Sequence, residues 1–392
     1  MRDRTVSIVG SGHTKFGRLD ALTLEDLIVS AGREALEEAG VTGSEIDAVY
    51  LGHFNSGLVP DAFASSLIHQ VDPGLRFKPA TRCENACASG AAAIFSAINA
   101  INAGEADLVL VVGAEKMTSR TTPEVTAALA GAGYQNDPKE AGLSFPGLFG
   151  IAATQYTERY QSPLEAMARI ASKNHQNALT NPLAQMQREM SFEACNTVSD
   201  RNPLIADPLR LTDCSLITDG AAAIVLASPE RARQFKREVV IRGKAQVNDF
   251  LPLSTRDFLS FEGPEKAIGQ AMQNAGVTLD DINFAEVHDC FTIAELLIYE
   301  AMGLAPKGQG HRVLDDGTVM RGGKLPVNLS GGLKAKGHPV GATGVSMHAM
   351  SFRQLTGQAG EGQLEGANMG LVFNMGGAAV ASYASVLEAK RA

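Results

Sequence analysis

The sequence predicts an α/β protein of layered helices and sheet, built from one unit used twice. Three observations carry this. A stretch of sequence repeats internally, strand-like and helix-like segments alternate on either side of it, and the 392 residues include 40 Gly and no Trp. Alternation of this kind places helices over a central sheet, and small residues let such layers approach closely.

The repeat is clearest in residues 24–47, LEDLIVSAGREALEEAGVTGSEID, and residues 262–283, EGPEKAIGQAMQNAGVTLDDIN. Each copy reads as a helix ending in Ala-Gly-Val-Thr, then an acidic turn, then a strand. In the first copy Leu24, Leu27, Ile28, Ala31, Ala35 and Leu36 recur at helical spacing and form one apolar face. Gly40 and Gly276 stand where a helix C-terminus takes a left-handed residue. A second unit follows each copy. Ala86-Cys-Ala-Ser-Gly opens a helix over about 88–103, followed by a strand over 106–115; Gly341-Ala-Thr-Gly opens a helix over about 341–356, followed by a strand over 370–375.

Residues 117–212 do not repeat. They are richer in polar, Pro and aromatic residues, too long for a plain connection, and read as an inserted subdomain that either covers apolar surface or carries a substrate site. Strand character returns over 217–227 and 239–247. The expected division is therefore an N-terminal half of 1–116 plus 217–255, an insertion over 117–216, and a C-terminal half of 256–392.

A formal net charge of −9 argues against nucleic-acid and anionic-membrane surfaces. It leaves room for a phosphate-bearing ligand, which a few local cations and a helix N-terminus suffice to hold. No run is expected to reach the roughly 18 apolar residues of a membrane span. The start, MRDRTVSIVG, has no apolar signal region, and the end, EAKRA, is no peroxisomal address, so a cytoplasmic location is expected. The five cysteines, Cys83, Cys87, Cys195, Cys214 and Cys290, read as free thiols. Cys83 and Cys87 lie four apart, but no second Cys/His pair at zinc spacing accompanies them, so no metal is expected.

Four segments can carry chemistry. Cys87, in Glu84-Asn-Ala-Cys-Ala-Ser-Gly, is placed at a sharp turn into a helix, where small neighbours admit a thioester and the helix N-terminus lowers a thiol pKa; the other reading is an inert buried thiol. His288 and Cys290, in Glu286-Val-His-Asp-Cys-Phe, follow a strand and precede a helix over 294–302, at the strand end where α/β sheets bind ligands; both are acid/base-capable, or they are packed strand-end residues. His338, in Lys336-Gly-His-Pro, is fixed by the following Pro in a Gly-dense loop before a helix, or is an exposed loop residue. Gly376, in Asn374-Met-Gly-Gly, can offer a free N–H to a carbonyl oxygen, or simply turns the chain.

Together, over the whole chain, these segments resemble the thiolase superfamily. Residues 87–90 match its Cys-x-Ser-Gly nucleophile motif and 337–339 its Gly-His-Pro motif. His288-Asp-Cys-Phe stands where many members have Asn-Glu-Ala-Phe, a variant similar to the sterol-carrier-protein-x type. Asn374 stands where the usual second catalytic Cys would be. The resemblance implies a duplicated thiolase fold, layered α-β-α-β-α, with an inserted loop subdomain. It implies an acyltransferase with Cys87 as nucleophile, Cys290 as the acid/base thiol, and His338 and His288 at the thioester oxygen. It also implies that the N–H groups of Cys87 and Gly376 hold the second oxyanion and that Ser215 contacts pantetheine. Acyl-CoA and CoA are then substrates, no cofactor is required, and the setting is fatty-acid and lipid metabolism. A homodimer or homotetramer is expected, with an accessory protein partner in some relatives. Two other readings stay open here: a decarboxylating, ketoacyl-synthase-like condensing enzyme using Cys87, His288 and His338, and a subunit of a multi-protein acyltransferase complex.

Overall fold

A computed structural model describes residues 5–390; the readings made on the first four and last two residues fall outside them. Eleven strands are present among the described residues. They are β1 (Ser7–His13), β2 (Ala48–Gly52), β3 (Ala80–Cys83), β4 (Leu108–Glu115), β5 (Leu204–Ala206), β6 (Leu209–Arg210), β7 (Gly220–Ala227), β8 (Val239–Asn248), β9 (Phe284–Val287), β10 (Met369–Gly376) and β11 (Ala381–Ala389). All but the β5–β6 hairpin join one ladder in the order β3-β2-β4-β7-β1-β8-β11-β10-β9.

The repeat is written into that order. In the first half β2 runs parallel to β3 and β4, and β4 is antiparallel to β7. In the second half β9 runs parallel to β10, and β10 is antiparallel to β11; Val327 takes the place of β3 through a parallel bridge to Ala285. The halves meet where Ser7 and Ile8 of β1 pair with Val240 and Val239 of β8. The two sheet layers are thus joined edge to edge in one continuous ladder.

The principal helices are α1 (Leu24–Ala39), α2 (Ser89–Ala103), α3 (Thr122–Ala130), α4 (Phe145–Arg159), α5 (Leu164–Ala178), α6 (Glu262–Ala275), α7 (Thr292–Ala301) and α8 (Thr343–Leu355). Helix α1 buries the six apolar residues its periodicity marks. Its start is fixed by a capping box between Thr23 and Asp26, and its end by Gly40 at φ 72°. It packs on β1, β4 and β7, and its repeat α6 packs on β8 and β11. Between them α2 and α8 pack on each other, and α8 touches strands of both halves. The layers are therefore α1, sheet, α2 with α8, sheet, α6.

The middle layer decides where the chemistry goes. A Cβ on Gly90 would lie 2.9 Å from the Gly341 carbonyl oxygen, and one on Gly344 would lie 2.3 Å from the Ala91 nitrogen. Helices α2 and α8 therefore meet backbone against backbone at their N-terminal ends, which draws the Cys87 turn and the His338 loop together. Packing in this layer also explains one overturned expectation. The stretch Ala86–Ala103, with mean hydropathy 1.3, is long and apolar enough by length and composition to cross a membrane. It is the α2 segment, apolar where it packs on the sheet and on α8, with Asn99 and Asn102 exposed on its outer side.

The segment between β4 and β7 holds α3, α4, α5 and the β5–β6 hairpin; α4 and α5 both pack against α7. Strand β7 begins at Gly220, not at Ile217, because residues 214–217 run along a cavity wall instead of joining the ladder.

Candidate active site

The nucleophile turn is held by its own hydrogen bonds. Ala86 adopts φ 51°, a left-handed conformation uncommon for a residue with a Cβ. Ser89 Oγ accepts from the Asn85 N–H at 2.9 Å and donates to the Ala86 carbonyl at 2.6 Å, and the Glu84 carboxylate accepts from the Ala86 N–H at 2.6 Å. Strain fixed in this way is typical of functional turns. Helix α2 begins only at Ser89, so Cys87 sits ahead of it, half-buried at the floor of a cavity of about 360 Å³.

The structure reverses the expected direction of the Cys87 pKa. Burial pushes the thiol up to about 12, with the nearby Glu115 carboxylate adding to the rise, while the N–H groups of Gly377 and of Cys87 itself oppose it. The helix end does not lower the pKa because loss of water outweighs a dipole that fades within a turn. The N–H directed at the sulfur belongs to Gly377 (φ 62°), one residue beyond the expected Gly376. Gly376 faces a neighbouring cleft instead and packs so closely on the Asn85 carbonyl that a Cβ would lie 2.2 Å from it.

His288 enters from the end of β9 and His338 from the loop before α8, their rings 5.1 Å apart and edge to face. His338 Nδ1 lies 2.7 Å from Thr343 Oγ1, and that hydroxyl donates to the Pro339 carbonyl at 3.0 Å. With its proton committed, the hydroxyl must accept from His338. His338 therefore carries its proton on Nδ1 and leaves Nε2 as a lone pair. Burial, with Lys336 adding, lowers its pKa to about 3, so the ring is neutral. His288 is buried and held neutral by burial and then by His338.

Cys290 is buried, its thiol pushed up by burial, then by Cys87 and Asp289. Its carbonyl accepts the Ser215 N–H at 2.9 Å, which ties the 214–217 wall to the site. Asp289 turns away from the cavity. It accepts from Asn174 Nδ2 and from the N–H groups of Leu333 and Lys334, and burial and then Glu295 raise its pKa to about 7.

Cys87, Ser215, His288, Cys290 and His338 thus line one cavity, with Gly377. Apolar side chains, among them Val125 and Leu129 of α3, Ile205 of β5 and Leu211 just after β6, form part of its wall. Cys87 Sγ and one ring nitrogen each of His288 and His338 lie within 4.8 Å of one another. That set has the donors to hold a soft divalent ion.

Three further residues that the sequence reading did not place in the site support it. Thr343 fixes His338, Thr218 Oγ1 accepts the His338 N–H at 3.1 Å, and Glu115 accepts N–H groups from Phe54, Asn55 and Gly341. Each is an ordinary side chain until the fold brings its partner within reach.

Comparison with known proteins decides the family. The description "Thiolase, N-terminal domain" matches residues 6–230, and "Thiolase C-terminal domain-like" matches residues 245–389. The chain belongs to the thiolase family. This thiolase is 40% identical over 377 residues to an acetyl-CoA acetyltransferase of Methanothermobacter thermautotrophicus, covering 95% of this chain and 97% of the relative. It is 34% identical to human sterol carrier protein 2, covering 95% of this chain and 70% of that protein. Among solved structures, a Ltp2-ChsH2(DUF35) aldolase superposes with a TM-score of 0.83 at 23% identity, covering 99% of this chain and 98% of that one. Human mitochondrial 3-ketoacyl-CoA thiolase superposes with a TM-score of 0.76 at 18% identity, covering 99% of each chain. At these identities the two structures speak for the fold alone.

Proposed function

We propose that this thiolase-family acyltransferase cleaves 3-ketoacyl-CoA to acetyl-CoA and a shortened acyl-CoA, or runs the same steps as a condensation, with Cys87 carrying the acyl group. The observation that carries this reading is the shared cavity: Cys87 and Cys290 line it together, with His288, His338 and the Gly377 N–H around them.

In the degradative direction Cys87 sulfur attacks the 3-keto carbon as its proton passes to His338 Nε2. The C2–C3 bond breaks, its electrons form the enolate of acetyl-CoA, and the Cys290 thiol protonates C2. Acetyl-CoA leaves. An incoming CoA thiol gives its proton to the Cys290 thiolate and attacks the acyl-Cys87 carbonyl, releasing the shortened acyl-CoA and the Cys87 sulfur, which takes its proton back from His338 Nε2. A thiol suits the relay because donor and acceptor are nearly matched, so transfer is balanced. His288 and the protonated His338 face the enolate oxygen, and the backbone N–H groups at Cys87 and Gly377 face the acyl oxyanion. Each such donor typically contributes roughly 3–4 kcal/mol.

A decarboxylating condensation by Cys87 and two histidines gives Cys290 no task, whereas this reading uses it. The finer expectations are part of the same proposal: use of CoA esters without a further cofactor, a place in lipid metabolism, a cytoplasmic location, and a homodimer. β3 at the free edge of the sheet, with exposed Phe77 just before it, supports the dimer. The test is acetoacetyl-CoA with CoA, following loss of the 3-keto absorbance, and mass spectrometry for an acyl adduct on the Cys87 peptide. Turnover only with malonyl donors, or an adduct elsewhere, defeats the reading.

A further inference from the structure

Asn374 occupies the end of β10, fully buried. Its Nδ2 lies 3.2 Å from the Cys87 carbonyl oxygen and 2.9 Å from His288 Nδ1. A backbone carbonyl only accepts, so the amide atom facing it must be the nitrogen. That same nitrogen then has its second hydrogen for His288 Nδ1, which must be an unprotonated acceptor. The reverse orientation would set Oδ1 against the Cys87 carbonyl and lose that bond. It would also turn the NH₂ toward Gly344, where Oδ1 now has no partner and a Cβ would stand 2.6 Å from it.

We propose that Asn374 is a positioning residue that fixes His288 as the Nε2–H tautomer, so that His288 serves only as a hydrogen-bond donor to a substrate oxygen and never as the base for Cys87. Thr343 sets His338 the opposite way, proton on Nδ1 and lone pair on Nε2. Two imidazoles 5.1 Å apart would otherwise be interchangeable; one amide and one hydroxyl assign them different work. The role given to the substrate oxygen rests on the function proposed above, whereas the tautomer does not.

The test is two-bond ¹H–¹⁵N correlation NMR of ¹⁵N-histidine-labelled protein, with His288→Gln and His338→Gln samples assigning the two rings. Wild type should show His288 with an unprotonated Nδ1 and a protonated Nε2, and His338 with the reverse. Asn374→Asp, which can only accept, should move the His288 proton to Nδ1 and lower the thiolysis kcat by roughly 10²–10³-fold, the loss of one oxyanion donor, with a smaller change in KM. A wild-type His288 protonated on Nδ1 overturns the inference even if that variant is unstable. A reversed tautomer in Asn374→Asp with unchanged kcat removes the donor role. Wild type with the expected tautomers and no thiolysis defeats the function reading and leaves the tautomer assignment standing.

Discussion

Replacing Thr343 with Val tests the base assignment, because the change is nearly isosteric and removes only the hydroxyl. That hydroxyl makes two buried hydrogen bonds, accepting from His338 Nδ1 at 2.7 Å and donating to the Pro339 carbonyl at 3.0 Å. Its loss leaves the His338 N–H without an acceptor, with both side chains buried. A buried donor left unpaired costs about 1–3 kcal/mol. The ring escapes that cost by moving its proton to Nε2, which is the atom needed as a lone pair. A tautomer penalty of this size corresponds to a loss of about 5- to 150-fold in rate. The assay is pre-steady-state acylation of Cys87 by acetoacetyl-CoA, read with thermal unfolding to separate stability from rate. Thr343→Ser keeps both bonds and should stay near wild type. Wild-type acylation in Thr343→Val, or an equal loss in Thr343→Ser, would refute the view that this hydroxyl prepares His338 as a base.

Three other outcomes are expected. Cys290→Ala should abolish multiple turnover while a single acyl transfer to Cys87 persists in part, which mass spectrometry of the acyl adduct against steady-state thiolysis will separate. Gly377→Ala should lose roughly 10²–10³-fold in kcat, since a side chain at φ 62° is strained and its Cβ would sit 3.1 Å from the Ala132 carbonyl, displacing the N–H aimed at Cys87. Stability should fall as pH drops below about 6.5. Burial depresses the pKa values of His13, His175, His288, His338 and His348. The unfolded chain then takes up protons that the folded one refuses, and stability present above the unfolded value of about 6.5 is lost by up to about 1.4 kcal/mol per pH unit for each group. His53 is raised by Glu115 against the pull of burial, so its contribution is complete below that pH and does not offset the loss. Thermal melts from pH 7 to 5 that stay flat would contradict this.

Elements with strong local patterns were legible in the sequence. Helix α1 carries its apolar face, its Gly40 terminator and a near copy in α6, so the duplicated fold follows from about twenty residues read twice. Helix α2 is legible as apolar but not as central, because nothing local says that both a sheet and a second helix pack on it. The β5–β6 hairpin, α3 and α4 have weak or mixed periodicity and take their shape from packing against one another, α7 and the cavity. In the site, the motif residues were legible one segment at a time, since Gly and Pro mark the turns that expose them. What chooses between the two histidines was not. Thr343 is five residues beyond His338 across a turn, and Asn374 reaches His288 from another strand at a separation of 86 residues. The parallel pairing of β9 with β10, with Phe373 opposite Val287, makes the second pair, and the approach of α2 to α8 at Gly90 and Gly344 brings the Cys87 turn to both histidines.

The sign of the Cys87 shift bears on how the reaction starts. A thiol raised to about 12 beside an imidazole lowered to about 3 cannot rest as a thiolate–imidazolium pair. Both groups are neutral before substrate binds, because the low-dielectric site favours whichever forms carry no charge. The proton must then leave Cys87 while the sulfur bonds to the 3-keto carbon, so that charge passes to an oxygen already facing N–H donors and never accumulates on sulfur. The same burial that makes Cys87 a weak acid keeps Cys290 from ionising alone, so its proton leaves only to the substrate carbon and is replaced only from CoA. This gives a direct measurement. The resting enzyme should show no thiolate absorbance near 240 nm attributable to Cys87 at pH 7, and its alkylation by iodoacetamide should be slow and rise with pH without a plateau below about 9. An alkylation rate flat from pH 6 to 8 and lost in His338→Ala would mean that an ion pair exists at rest, and the coupled attack argued from the geometry would be wrong.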